Sequence, residues 1–245
     1  MFRQKLAGRK TDERGFHWRG NEILRIEGFT DAVFAFAVTL LAVSLEVPKT
    51  FNDLILMMQG FVAFGINITL LAAIWHSHFK FFRRYGIQDT YIIILNTILI
   101  FVVLFYIYPL KFLFTILAND IFGLGNSLSN PSIDSSQVPA LMIIYSLGYF
   151  AIFLTFMFFY LHAYHIRKEL ELSETEILIT QMSIRGYSIH LAISLLSIIL
   201  AMFSKFFGFS SSYAGFVYFL LGPAFSMHGI NTGKKLKLLL RNTSH

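Results

Sequence analysis

Six mostly apolar stretches run along this chain, separated by polar or basic segments: Phe29–Val47, Leu54–Trp75, Thr90–Ile116, Val138–Leu161, Tyr187–Phe207 and Tyr213–Ile230. A helix of roughly 20 apolar residues crosses the hydrocarbon core of a bilayer. Each stretch is therefore a candidate span, and the third exceeds what the crossing requires, which predicts tilt or an ordered extension beyond the membrane. The pattern predicts an all-α integral membrane protein with six transmembrane helices per subunit.

The segments between the spans differ in character. Residues 118–137 are rich in Gly, Asn, Ser and Pro and hold no basic residue, which predicts an irregular loop. Residues 167–184 are helical in pattern, with Ser173 and Glu176 at the spacing of a capping box. That segment is expected either to extend the fourth span or to lead the fifth. No internal repeat is visible. The chain is read as a single six-helix domain over 1–245, with an arm at 1–28, a membrane domain at 29–230 and a tail at 231–245.

Composition sharpens this picture. The 245 residues are 56% hydrophobic and 14% charged, with mean hydropathy +0.62, whereas soluble domains carry about 25% charged residues. A soluble fold is excluded. The first 25 residues are basic and polar, without the short apolar core of a cleaved signal. The chain has no cysteine, which rules out disulfides, thiolate metal sites and covalent haem attachment.

The net charge of +6 is read as topology and lipid contact, and no nucleic-acid partner is expected. Of the 20 Lys and Arg, all but Lys49, Lys111 and Lys205 lie in the arm, in the segments after spans two and four, or in the tail. Positive charge collects on the cytoplasmic side, so both termini are expected in the cytoplasm.

The first span carries the densest chemistry. At about 100° per residue, Phe36, Thr39, Val43 and Val47 lie on one stripe, with Leu40 beside it and Glu46 nearly below Thr39. From the inside outward the stripe reads large apolar, hydroxyl, apolar, then carboxylate. Repeated around an axis, it would form an apolar constriction, a hydroxyl ring and an acidic outer vestibule, which are parts of cation pores. A plainer reading has Thr39 bonding back to a carbonyl one turn earlier, with Phe36 as ordinary core. At the inner end, Arg25 and Asp31 are about 9 Å apart along the helix. Asp31 suits the helix dipole there. Trp75, His76 and His78 end the second span on the same side, and either histidine is placed to donate to Asp31.

Arg25-x-x-x-Phe29-Thr30-Asp31, followed by Ala35-Phe36-x-x-Thr39-Leu40-Leu41, resembles the first-helix signature of the endolysosomal potassium leak channel family, transmembrane protein 175, in its prokaryotic six-helix form. Trp75-x-x-His78 resembles the family's second motif, and Asn96 with Tyr108-Pro109-Leu110-Lys111-Phe112 a third. The resemblance implies a potassium-selective leak channel, not an enzyme, in a prokaryotic plasma membrane. It implies a homotetramer whose first helices line a central pore, with K⁺ as permeant ion and no cofactor.

The resemblance also assigns roles to residues. Phe36 takes the gate position, Thr39 the threonine layer and Val43 the next pore turn, with Leu40 beside them on the helix. Arg25, Phe29, Thr30, Asp31 and His78 form a polar network below it. Thr30 replaces the usual serine and keeps its hydroxyl. Phe36 replaces an aliphatic gate residue, where four rings can block a pore or present faces that attract a cation.

Other classes stay open from the residues alone. Asp31 and His78 would suit a proton-coupled secondary transporter or a proton-permeable cation channel, although such transporters usually show repeats and broken helices. Here Gly60, Gly65, Gly148 and Gly222-Pro223 offer only weak break points. His162, His165, His190 and His228 raise a membrane enzyme or haem protein, but without the H-E-x-x-H pattern of a metal site.

Overall fold

The computed structural model describes residues 11–12, 15–20, 22–43, 49–122, 133–134, 136–207 and 213–243. The helices are α1 (Arg25–Val43), α2 (Phe51–Tyr85), α3 (Thr90–Phe122), α4 (Val138–His165), α5 (Glu174–Phe207), α6 (Tyr213–Phe216) and α7 (Leu221–Thr243), with a 3₁₀ turn at Val217–Leu220 joining the last two. The described residues form no strand; a single antiparallel bridge pairs Thr11 with His17. Among the described residues three helical segments, Thr90–Leu113, Val138–His165 and Glu174–Ser204, are long and apolar enough to cross a membrane.

The helices overrun the apolar stretches, for local reasons. α2 continues through Tyr85, well past Trp75, because its final turns keep an aromatic face. Phe81, Phe82 and Tyr85 on that face are buried, at 0%, 0% and 1% exposure. Phe81 stacks on Phe159 of α4 at 4.9 Å between ring centroids. α3 runs to Phe122, a turn into the expected loop, and holds Pro109 within it. Pro109 donates no hydrogen bond, but its carbonyl accepts one from the Tyr145 hydroxyl of α4. The remainder of the expected loop lies largely outside the described residues.

The segment after α4 leads α5, as one of the two expectations had it. The capping box is formed: Ser173 N–H donates to Glu176 Oε2 at 2.9 Å, and Glu176 N–H donates to Ser173 Oγ at 3.3 Å. The sixth apolar stretch departs from a plain helix at Val217–Leu220. Pro223 lacks the N–H that the Phe219 carbonyl would accept in an α-helix, so the chain tightens there before resuming as α7.

Neighbouring helices alternate in direction. The starts of α3 and α5 meet the ends of α2 and α4, as the hydrogen bonds His162–Asp89 and Tyr85–Thr180, the latter at 2.7 Å, show. α4 and α5 share the largest contact, α3 packs on both α2 and α4, and α7 packs on α5. α1 lies at the edge of the bundle, against α2 and α3.

The N-terminal arm closes one end of this bundle. Residues 15–20 run beneath the end of α2 and meet the start of α5. Phe16 is fully buried against Tyr85 at 5.2 Å, with the Arg84 guanidinium 5.0 Å from its ring centroid. Arg84 also holds Asp12 at 2.6 Å. The Arg19 and Gly20 amides both donate to the Arg83 carbonyl at 3.1 Å. A Cβ at Gly20 would sit 2.4 Å from the Phe82 carbonyl oxygen, so only glycine permits this approach. Glu176, 1% exposed, anchors the far side. It accepts from both terminal nitrogens of Arg19, at 3.0 and 2.8 Å, and from the His17 amide at 2.9 Å.

Candidate pore-lining helix and its polar support

α1 has two faces of different chemistry. Glu27, Thr30, Phe34, Ala37 and Leu41 are buried against α2 and α3. Arg25, Phe29, Ala32, Ala35, Phe36 and Thr39 are exposed. Phe29 and Phe36 lie two turns apart on that face with 62% and 57% of their surface uncovered. Leu40 is half-buried at its edge. Val43 ends the helix, and Glu46 lies outside the described residues.

Thr39 does what the plainer reading held: its hydroxyl donates to the Phe36 carbonyl at 2.6 Å. That bond does not remove the residue from ion chemistry. It engages the hydroxyl proton and leaves oxygen lone pairs on an exposed position, and a cation is bound by lone pairs.

The buried face carries a polar chain through three helices. Asn96 of α3 donates through Nδ2 to Thr30 Oγ1 at 2.8 Å, and Thr30 donates to the Ile26 carbonyl at 2.8 Å. Asn96 Oδ1 in turn lies 2.8 Å from His78 Nε2 of α2. An amide oxygen only accepts, so Nε2 carries the proton. His78 lies beyond the apolar stretch of α2, and burial pushes its imidazole down to about 4. The ring is thus neutral near pH 7, which suits its role as single donor to Asn96. Thr30, Asn96 and His78 are 0%, 1% and 1% exposed, so each has a partner where water does not reach.

The expected pairing of a histidine with Asp31 is not made. Trp75 holds that carboxylate instead, its indole Nε1 donating to Asp31 Oδ1 at 2.7 Å. One turn separates Trp75 from His78; the first reaches α1 itself, the second Asn96 of α3. Arg25 is exposed and makes no ion pair among the described residues. The polar network therefore resolves into a buried His78–Asn96–Thr30 chain and an exposed Trp75–Asp31 clasp.

Glu27 is a buried polar residue that the motifs of α1 do not mark. Its carboxylate is 4% exposed, accepts from the Leu24 amide at 3.4 Å and is raised above the usual carboxylate range by burial. Its place opposite the Phe36 stripe was the available signal. The other histidines disperse. His162 pairs with Asp89, His190 meets the Tyr149 hydroxyl, and His228 donates to the Met182 carbonyl at 3.1 Å. Among the described residues, no three of His, Asp and Glu gather in a metal-holding group.

Fold and site together define a multi-pass helical membrane protein whose first helix has a face of aromatic, small and hydroxyl residues left uncovered by the described residues. Residues 25–106 match the family model described as endosomal/lysosomal potassium channel TMEM175. A protein of Marivirga tractuosa named potassium channel is 42% identical over 233 residues, covering 93% of this chain and 94% of that one.

The crystal structure of a variant of the potassium channel MtTMEM175, bound to a nanobody fusion, superposes with TM-score 0.81 at 39% identity. It covers 92% of this chain and 100% of that one. A TMEM175 homologue from Chamaesiphon minutus shares the fold at TM-score 0.53 and 22% identity, over 83% of this chain and 95% of that one. This chain belongs to the TMEM175 family.

Proposed function

We propose that the protein is a potassium-selective leak channel of a prokaryotic plasma membrane. It assembles as a homotetramer with α1 of each subunit facing a central pore. The observation that carries this reading is the uncovered stripe of α1. Aromatic and hydroxyl side chains at Phe29, Phe36 and Thr39 are exposed, while the opposite face is fixed to α2 and α3 through Phe34, Leu41 and the Thr30–Asn96–His78 chain. A helix so held presents its free face at a constant angle, as a pore wall requires. The relatives named as potassium channels supply the ion.

Six spans and two cytoplasmic termini follow from the apolar stretches and from the concentration of Lys and Arg. The alternation of helix directions supports the same topology. The α6–α7 segment then forms the sixth span.

In this arrangement Phe36 forms the apolar constriction, with Leu40 and Val43 in the adjoining wall and Glu46 at the outer mouth. Four Thr39 hydroxyls replace part of the hydration shell of K⁺, which gives up water more readily than Na⁺, and an apolar ring gates by dewetting. Arg25, Phe29, Thr30, Asp31 and His78 hold the inner end. Asp31 and His78 bond to different partners, Trp75 and Asn96, so nothing in this arrangement links the two directly for proton coupling.

Flux from liposomes containing the full chain, under K⁺ and then Na⁺ gradients, tests the proposal. Fast flux in K⁺ and slow flux in Na⁺ is the expected result. The K⁺/Na⁺ permeability ratio should fall in Thr39→Ala. A ratio unchanged by that substitution would remove the hydroxyl ring from the mechanism.

A further inference from the structure

Away from α1, helices α5 and α7 part around a cavity of about 460 Å³. Gln181 and Arg185 line it from α5, and Asn231, Thr232, Lys234 and Lys235 from α7. None of its lining residues is acidic. Arg185, Lys234 and Lys235 make no ion pair among the described residues. The carboxylates closest along α5 are Glu174, a turn before the cavity, and Glu176, which Arg19 already engages. Three cations thus share a recess of the size that holds small ligands, without a counter-charge and with amide and hydroxyl groups between them.

The cavity also sits at a defined depth. Arg185 lies just before the apolar stretch of α5 that begins at Tyr187, and Asn231 just after the apolar stretch of α7 that ends at Ile230. His228 ties the two helices there through Met182. Met227 and Ile230, on the adjoining apolar turns of α7, are 67% and 56% exposed. Cations and neutral donors at the polar boundary, with exposed apolar side chains beside them, match a phosphate headgroup and its acyl chains.

We infer that the α5–α7 cavity binds a phosphate group, supplied by an anionic glycerophospholipid. The guanidinium of Arg185 and the ammonium groups of Lys234 and Lys235 neutralise the phosphate, while Gln181, Asn231 and Thr232 serve the headgroup hydroxyls. This site rests on membrane embedding and not on the pore reading.

Thermal unfolding of the full chain in detergent tests it, with phosphatidylglycerol, phosphatidylcholine or inorganic phosphate added in separate arms. Phosphatidylglycerol at saturation is expected to raise the midpoint by about 5–10 °C, and phosphatidylcholine not to. Arg185→Gln combined with Lys235→Gln should abolish the rise. Lys80→Gln combined with Lys168→Gln, which removes equal charge from residues outside the lining, should keep it. A rise with inorganic phosphate equal to that with phosphatidylglycerol supports the anion site and assigns it to free phosphate. Equal rises with both lipids, or a rise that survives the cavity variant or vanishes equally in the control, overturn the inference. Potassium flux measured on the same variants separates the two readings: a silent pore with an intact lipid shift counts against the channel alone.

Discussion

Glu176→Ala should release the N-terminal arm from the bundle while leaving most of α5 intact. The buried carboxylate accepts from Arg19 at 3.0 and 2.8 Å, from the His17 amide at 2.9 Å and from the Ser173 amide at 2.9 Å. Hydrogen bonds to a charged group contribute about 1.5–3 kcal/mol each, and breaking a buried ion pair costs about 3–5 kcal/mol because the other charge is left unpaired. Arg19 retains the Leu170 and Glu171 carbonyls as acceptors, at 3.0 and 3.3 Å, so the lower part of that range applies. At about 1.4 kcal/mol per decade, local opening of the arm should become about 10²-fold more frequent.

Hydrogen exchange reads this directly. The amides of Arg19 and Gly20 donate to the Arg83 carbonyl and not to the deleted carboxylate, so their loss of protection reports release of the arm. Buried Ile193, well beyond the capped turn of α5, serves as the internal control. Glu169→Ala, which removes an exposed carboxylate, should change nothing. Protection at Arg19 and Gly20 within about threefold of the parent in Glu176→Ala would refute the argument that this ion pair holds the arm.

Phe36→Ala should raise single-channel conductance, since it removes the largest exposed side chain beside Thr39; an unchanged or smaller conductance in planar bilayers would place the constriction elsewhere. Asn96→Leu strips both Thr30 and His78 of a buried partner, at about 1–3 kcal/mol for each stranded group, and should lower the thermal midpoint well below that of Thr97→Ala on the exposed side of α3. His78 gives a pH dependence of definite sign. Its pKa falls from 6.5 to about 4 on folding, so between those values the unfolded chain binds the extra proton and the folded chain does not. Its contribution is complete above about pH 6.5 and is lost as the pH drops toward 4, so His78→Gln should flatten that part of the stability profile.

The sequence was most readable where structure is local. The starts of α3 at Thr90 and α4 at Val138, and the Ser173–Glu176 capping box, follow from spacing within one or two turns. The exposure of Phe36 and Thr39 on one face of α1 follows from spacing in the same way; the Val43 side chain and Val47, further along the expected stripe, lie outside the described residues. The end of α2 was not readable, because hydropathy falls at His76 while the aromatic face that sustains the helix continues to Tyr85. The Asp31 partner is not encoded by spacing, since Trp75 and His78 stand on successive turns and only the packing of α2 on α1 determines which one reaches the carboxylate. The arm's basic residues looked like topology signals. Arg19, however, finds Glu176 at a separation of 157 residues, and no periodicity within the arm encodes that pairing.

That separation sets an order of events during synthesis. The Asp12–Arg84 contact spans 72 residues and becomes available once α2 has emerged, whereas the Arg19–Glu176 lock waits for the start of α5. At about 5–20 residues per second the second contact lags the first by roughly 5–20 s. Through that interval the arm that precedes the first helix is held by the end of α2 alone. The exposed aromatic face of that helix therefore enters the bilayer before the arm beneath it is locked, and an early encounter between nascent chains would meet a helix whose inner end is not yet tied to α5.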